Sequence, residues 1–115
     1  MGLDMYAYVE VDSAREELAY WRKHNRLHGW MEKLFRERGG QGNFNCIPLE
    51  LFEKDIEKLE SDILDGELPA TEGFFFGNDS YEEYEEWYKE DDLKFIKLAK
   101  EALKLGRRVF YDSWW

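Results

Sequence analysis

Apolar and polar residues alternate along the first segment of the chain. In residues 3–11, LDMYAYVEV, the side chains of Leu3, Met5, Ala7 and Val9 fall on one side of an extended backbone. This period of two predicts a β-strand with one apolar face and one aromatic, acidic face. The second face would carry Asp4, Tyr6, Tyr8 and Glu10.

The pattern after this strand predicts a long helix. Asp12 and Ser13 are residues that commonly cap a helix, and Ser13 with Glu16 would form a capping box. Two glycines follow Arg38 and would stop the helix there. At 100° per residue, His24 and His28 fall on the same face as the apolar residues of this segment.

The rest of the chain predicts shorter strands and two more helices. Residues 43–47, NFNCI, resemble a short strand, and Pro48 suits the first turn of a second helix that ends near Gly66. The glycine-bounded FFF run predicts a buried strand or an ordered loop, and residues 81–105 predict a third helix that begins at a Ser80 capping box. The final RRVFYDSWW predicts a strand, with Val109 and Tyr111 on one side and Phe110 and Asp112 on the other. The apolar stripe of the second helix consists of Leu49, Phe52, Ile56, Leu59 and Ile63.

These elements predict an α+β fold in a single domain, residues 1–115. The expected order is β-α-β-α-(β)-α-β, with three helices packed on one face of a small mixed or antiparallel sheet. We expect the two terminal strands to be neighbours in that sheet. A chain of 115 residues is long enough to bury a core without disulfides.

Composition narrows the classes of function. Aromatic residues make up 17% of the chain, so some rings are expected to line a surface or a pocket. The net charge is −10, and residues 41–92 carry seventeen acidic side chains against three basic ones. Such an acidic protein is not expected to bind nucleic acid directly, because cations must replace the counterions of the phosphates. The acidic charge is compatible with binding to a basic protein surface, or simply with solubility, and solubility is favoured because charge runs usually face water.

The chain shows no sign of secretion or membrane insertion. Cys46 is the single cysteine, which rules out an internal disulfide and fits a reducing compartment. We find no basic, apolar leader and no apolar run of membrane-spanning length, so the expected location is the cytoplasm.

The motif YWRKHNRLHGW, residues 20–30, leaves three interpretations open. His24 and His28, with Glu17 and Cys46, could bind a metal ion. The polar residues could instead lie at the edge of the core and pair with the first strand. The third interpretation is an aromatic ligand pocket between this helix and the terminal strands. Its residues would be Trp21, Asn25, His28, Asp4, Tyr6, Tyr8, Tyr111, Ser113 and Trp114, with the cations Arg22, Lys23 or Arg107 at the rim.

No recognised catalytic motif is present. The sequence has neither a phosphate-binding glycine loop nor the glycine-flanked serine of a hydrolase, and the GGQG at residues 39–42 is a helix stop. An enzyme that uses Asp4, His28 and Asp112, or Cys46 as a nucleophile, stays an alternative without a defined reaction.

Four motifs resemble a family of small bacteriophage and prophage proteins that has no established activity. They are MGLDMY, YWRKHNRLHGW, LPATEGFFFGN followed by EEYEEWY, and the FYDSWW ending. The family pattern includes the positions of Trp21, Asn25 and His28 but leaves that of His24 open. The resemblance therefore argues against a site that needs both imidazoles, so no metal or cofactor is expected. It adds Phe76 and Asn78, in the GFFFGN segment, to the candidate ligand-binding residues.

The sequence thus favours a phage accessory protein that acts on its host, in the host cytoplasm, by binding rather than catalysis. A counter-defence role would be served by sequestering a small polar or nucleotide-like ligand in the aromatic pocket. The alternative is an acidic inhibitor of a host protein, or a nucleic-acid mimic, that acts through residues 79–92, DSYEEYEEWYKEDD. The Trp114-Trp115 pair could pack within the fold or against a second copy of the chain.

Overall fold

The computed structural model describes residues 3–22, 24–68 and 88–114, except for the side chain of Asn25. Four strands and three helices lie in these segments. They are β1 (Asp4–Val11), β2 (Ala14–Arg22), α1 (Asn25–Glu37), β3 (Leu49–Leu51), α2 (Glu53–Leu64), α3 (Lys89–Lys104) and β4 (Arg108–Trp114).

The four strands form one antiparallel sheet in the order β2-β1-β4-β3. The predicted α+β class is confirmed, and both terminal strands belong to the sheet and are neighbours. Asp4 lies opposite Trp114, and Val9 lies opposite Val109. The first and last strands of the described chain therefore form the centre of the sheet.

One face of the sheet forms the core with the three helices. Met5, Ala7, Val9 and Tyr111 are buried there, in one cluster with apolar residues of all three helices. Their burial supplies the main stabilisation of the fold, since each large apolar side chain contributes about 1.5–3 kcal/mol when it is removed from water. In the described segments, no helix is both long enough and apolar enough to cross a membrane.

The predicted helix start at residues 12–13 is wrong, because these residues form the turn of a β-hairpin. Asp12 and Ser13 both have positive φ angles, 49° and 69°. Two consecutive residues in this region make the tight hairpin turn whose twist matches that of the strands. Short polar side chains suit both a helix cap and a left-handed turn, and pairing with β1 selects the turn. Residues 14–22 are therefore strand β2 rather than the first half of a helix.

A bulge in β2 decides which of its side chains face the core. Ala7 lies opposite Ala19 but Tyr8 lies opposite Glu17, so Leu18 is the extra residue. The bulge places Trp21 against the core and leaves Glu17 on the opposite face of the sheet.

Helix α1 begins eleven residues later than the sequence pattern predicts and ends where expected. His24 is its N-cap, and the ring Nδ1 accepts a hydrogen bond from the backbone of Leu27 at 3.4 Å. The helix ends before Gly39, whose φ of 87° suits a glycine after a helix.

The second predicted strand and helix are both shifted along the chain. The strand lies at Leu49–Leu51 rather than at residues 43–47, and α2 begins at Glu53. Ile56, Leu59 and Ile63 are buried as predicted, whereas Leu49 belongs to the strand and Phe52 is 47% exposed. The carboxylate of Asp55 caps α2 by accepting from the backbone of Phe52 at 2.9 Å.

The third helix and the last strand agree with their predictions where the structure describes them. Helix α3 ends one residue before Leu105, and Gly106 turns the chain with a φ of 78°. In β4, Val109 and Tyr111 are buried on the core face and Asp112 points to the other side. The FFF run, the Ser80 capping box and residues 81–87 of the predicted third helix lie outside the described residues.

Candidate functional site

The face of the sheet that the described helices leave uncovered carries most of its polar and aromatic side chains. We call it the open face. Strand alternation and the register place thirteen side chains on it. They are Asp4, Tyr6, Tyr8, Glu10, Arg15, Glu17, Tyr20, Arg22, Glu50, Arg108, Phe110, Asp112 and Trp114.

The middle of the open face contains a shallow pocket of about 280 Å³. Five side chains from three strands line it: Tyr6 and Tyr8 of β1, Arg15 and Glu17 of β2, and Asp112 of β4. The register brings them together, because Tyr6 lies opposite Asp112 and Tyr8 lies opposite Glu17. We call these five residues the sheet pocket.

Aromatic rings form the floor of the sheet pocket. Tyr8 is 8% exposed, and its ring stacks on Phe110 with centroids 5.3 Å apart. Arg15 lies over the Tyr8 ring, with its guanidinium carbon 4.6 Å from the centroid. Burial raises the pKa of the Tyr8 hydroxyl further above its ordinary value, so the hydroxyl stays neutral at physiological pH.

Asp112 is the less exposed of the two carboxylates that line the sheet pocket. Burial raises its pKa, while a hydrogen bond from the Ser113 backbone and the charge of Arg15 lower it. The backbone nitrogen of Ser113 donates to Oδ1 of Asp112 at 2.8 Å. This contact fixes the orientation of the carboxylate.

A second aromatic group borders the sheet pocket at the end of the open face. The Tyr20 hydroxyl donates to Oδ1 of Asp4 at 2.6 Å, a bond that raises the pKa of Tyr20. Tyr20 also packs against Tyr6 with centroids 5.2 Å apart. Trp114, opposite Asp4, is 65% exposed and extends this surface.

The sheet separates the predicted pocket residues into two sets. Asp4, Tyr6, Tyr8, Arg22 and Trp114 lie on the open face. The other set, Trp21, His28, Tyr111 and Ser113, lies buried on the core face. The predicted pocket required Trp21 and His28 to lie on one face of the same helix. Trp21 instead belongs to strand β2 and His28 to helix α1, so they do not share a helical face. Lys23, Phe76, Asn78 and the side chain of Asn25 lie outside the described residues.

His28 is a buried residue of the core. Its Nδ1 and the hydroxyl of Tyr111 are 2.7 Å apart and share a hydrogen bond. The ring stacks on Phe44, which in turn stacks on Phe35. Desolvation lowers the pKa of His28 from 6.5 to about 4, so the ring is neutral at physiological pH.

His24 has different partners and does not converge with His28. Its Nε2 lies 2.8 Å from Oδ2 of Asp92, and both side chains are 1% exposed. The ring stacks on Tyr88, whose hydroxyl donates to the carbonyl of Arg22. His24 thus joins the start of α1 to the start of α3, in addition to capping α1.

The arrangements required by the metal and enzyme interpretations do not occur among the described residues. Glu17 lies on the open face and Cys46 is exposed, whereas His24 and His28 are buried. Across residues 3–22, 24–68 and 88–114, no three His, Cys, Asp or Glu residues form a group that could hold a metal ion. Asp4 and Asp112 are likewise on the face opposite His28.

The acidic segment 79–92 is described only from residue 88 onwards. Glu90 and Asp91 are exposed in the first turn of α3, where carboxylates favour the helix dipole. Asp92 faces inward to His24 and is not available to a partner protein.

The sequence interpretation missed two residues of the sheet pocket as ligand-contacting groups. On the predicted helix, Arg15 falls on the solvated side, opposite the apolar residues, and Glu17 serves only as a possible metal ligand. The two-residue polar turn Asp12-Ser13 was the signal of a hairpin, and a hairpin strand would be expected to show alternation in the AREELAYWR that follows. The bulge at Leu18 disturbs this alternation and weakens the signal.

The fold and this site define an α+β domain with a ligand-sized concavity on the open face of an antiparallel sheet. Comparisons with protein-family models, with curated proteins and with solved structures gave no match.

Proposed function

We propose that this protein is a non-catalytic binding protein that holds a small polar ligand in the sheet pocket. The observation that carries the proposal is the convergence of two tyrosines, two carboxylates and one arginine around a concavity of about 280 Å³. Small-molecule sites combine aromatic walls with a few oriented polar groups in this way. The volume suits a single ring or a molecule of similar size.

The aromatic floor supports a planar ligand. Tyr6 and Tyr8 offer flat surfaces with few torsional degrees of freedom, so little conformational entropy is lost when a ring packs on them. Glu17 and Asp112 would accept hydrogen bonds from the edge of such a ring. Strands hold both carboxylates, and binding therefore requires little rearrangement of the backbone.

The biological setting of the proposal comes from the sequence resemblance. A phage accessory protein that sequesters a host metabolite, including a nucleotide-like molecule used in defence, would act by binding alone. A protein that acts by binding its ligand in a one-to-one complex needs affinity for that ligand rather than catalytic groups. The absence of a recognised catalytic motif in the sequence agrees with this role.

Thermal unfolding in the presence of candidate ligands tests the proposal. A panel of nucleosides, nucleotides, amino acids and small amines should contain compounds that raise the melting temperature. A ligand at about 100 times its dissociation constant adds about 2.7 kcal/mol to the free energy of unfolding. Tyr6→Ala should abolish the shift, because it removes an aromatic wall of the sheet pocket.

Phe52→Ala is the matched control for this experiment. Phe52 is a half-exposed ring at the start of α2, outside the sheet pocket, and its removal should leave ligand binding unchanged. Equal losses in the two variants would place the ligand elsewhere. A panel without any stabilising compound would count against the proposed function.

A further inference from the structure

The charges around the sheet pocket are not balanced. Two carboxylates, of Glu17 and Asp112, face one guanidinium, of Arg15. Within the described part of the chain, Glu17 makes no ion pair, and Oδ2 of Asp112 accepts no hydrogen bond. Two acceptors on opposite sides of a tyrosine floor are thus available to a donor.

Arg15 already occupies the position that a cationic ligand would take. Its guanidinium lies 4.6 Å from the centre of the Tyr8 ring, a cation–π contact. The side chain is exposed, and no carboxylate among the described residues holds it there. Burial raises the pKa values of Asp112 and Tyr8, and the positive charge of Arg15 partly offsets this, as expected for a cation beside acidic groups.

The other cations of the open face do not provide a site for an anion. Arg108 is committed to Glu50, 2.7 Å away, and lies 3.6 Å from Glu10. Arg22 is beside Asp4, at the end of the sheet beyond Tyr20. A phosphate or carboxylate in the sheet pocket would meet only Arg15 and would be repelled by Glu17 and Asp112.

We propose that the sheet pocket takes a planar organic cation, a guanidinium or amidinium group, that displaces Arg15 from the Tyr8 ring. The inference rests on the proposed function and names its ligand class. Such a group stacks on a tyrosine ring and donates hydrogen bonds along its edge to both carboxylates. Arg15 alone cannot donate to both acids. In the bound state Arg15 turns towards solvent, and the ligand contacts Glu17 and Asp112.

Three compounds of one shape and different charge test this inference. Benzamidine, benzamide and benzoate share a ring and carry charges of +1, 0 and −1. Titrations into ¹⁵N-labelled protein, followed by amide chemical shifts, should show benzamidine binding at Tyr6, Tyr8 and Asp112. Its affinity should exceed that of benzamide by about tenfold, the effect of one charge-assisted contact. Benzoate should leave these amides unchanged.

The sign of the Arg15→Ala effect is the decisive measurement. If the ligand replaces Arg15, this variant should bind benzamidine about threefold more tightly, because an internal competitor is lost. Glu17→Gln and Asp112→Asn should each weaken binding about fivefold. Arg22→Ala removes another exposed arginine of β2 outside the sheet pocket and should change nothing. Amide spectra of all four variants establish that each is folded.

The outcomes separate the inference from the proposed function. Weaker benzamidine binding by Arg15→Ala, or binding of benzoate or AMP at the same amides, would overturn the cationic ligand while preserving a ligand site. If none of the three probes shifts these amides and the thermal panel also fails, both proposals are rejected.

Discussion

Two histidines four positions apart illustrate how tertiary contacts assign different roles to similar residues. His24 caps α1 and contacts Asp92, whereas His28 shares a hydrogen bond with Tyr111 inside the core. The pair looked like a metal motif because i, i+4 spacing places two rings on one helical face. Only His28 lies within α1, since the helix begins at Asn25.

The burial of His28 predicts a pH-dependent stability. Burial lowers the pKa of His28 from 6.5 to about 4, and so the unfolded chain binds this proton more readily than the folded protein. The stabilisation is complete above pH 6.5 and is lost as the pH falls towards 4. The shift corresponds to about 3 kcal/mol in the free energy of unfolding. Urea unfolding at pH values between 7 and 4 measures this loss.

The double variant His28→Leu with Tyr111→Phe is the control for this pH dependence. It replaces both partners of this hydrogen bond by apolar side chains of similar size and removes the titratable ring, so the contribution of His28 to the pH dependence is lost. The difference in unfolding free energy between wild type and variant should shift by about 3 kcal/mol between pH 7 and pH 4. Parallel pH profiles would show that another group is responsible.

The hairpin of β1 and β2 shows a conflict between local signals at the scale of an element. Asp12-Ser13 followed by Glu16 has the form of a capping box, and the next residues suit a helix. The turn has positive φ at both positions, which only pairing of β2 with β1 can make favourable. The consequence for the site is direct, because β2 brings Arg15 and Glu17 beside Tyr8.

The turn conformation predicts a stabilising substitution. Ser13 has a φ of 69°, a region in which glycine lacks the steric penalty of a Cβ atom. Asp12→Asn with Ser13→Gly should raise the free energy of unfolding by about 0.5–1 kcal/mol. A helix start at this position would instead lose a capping residue and be destabilised. Ser13→Val should destabilise the hairpin, and denaturant unfolding measures both variants.

At the scale of the whole molecule, the sheet joins the first and last described strands at its centre. Strand β1 pairs with both β2 and β4, and β4 pairs with both β1 and β3. These contacts span almost the full described length of the chain, so their formation is expected to require most of the fold. The core cluster on one face of this sheet includes residues of all three helices.

This topology predicts the order of amide protection. Backbone amides of β1 and β4 should exchange with solvent most slowly, through global unfolding only. Outward amides of the edge strands β2 and β3 should exchange faster by at least about tenfold, because they lack a partner strand. Hydrogen–deuterium exchange followed by NMR resolves these strands. Rapid exchange throughout β4 would contradict its central position.

The elements that can be predicted from the sequence are those in which the apolar residues fall on the face that is buried in the fold. Leu3 to Val9 alternates cleanly because one face of β1 is core and the other is open. The stripe Ile56, Leu59 and Ile63 is buried as predicted because α2 packs one face only. Residues 14–22 were misassigned because the strand lies at an exposed edge and contains a bulge, which remove the usual apolar alternation.

The candidate site was predictable in part. Asp4, Tyr6 and Tyr8 were placed on one strand face, and Phe110 with Asp112 on one face of the last strand, from alternation alone. The prediction that these residues share a pocket with Trp21 and His28 is wrong. Which side chains of different strands share a face of the sheet depends on how distant strands pair, and alternation within one strand does not reveal it. Tyr111 and Ser113 were assigned to the pocket, although β4 turns them to the core.

By itself, the sequence determined the α+β class, the two terminal strands and an aromatic, acidic side of β1, since these depend on local periodicity. Tertiary structure alone decided that Asp12-Ser13 is a turn, that His28 is a core residue and that Arg15, Glu17 and Asp112 meet over Tyr8. The physical reason is that strand pairing and register are set by contacts between residues far apart in the chain. A shift of one position in that register moves a side chain from the core to the open face.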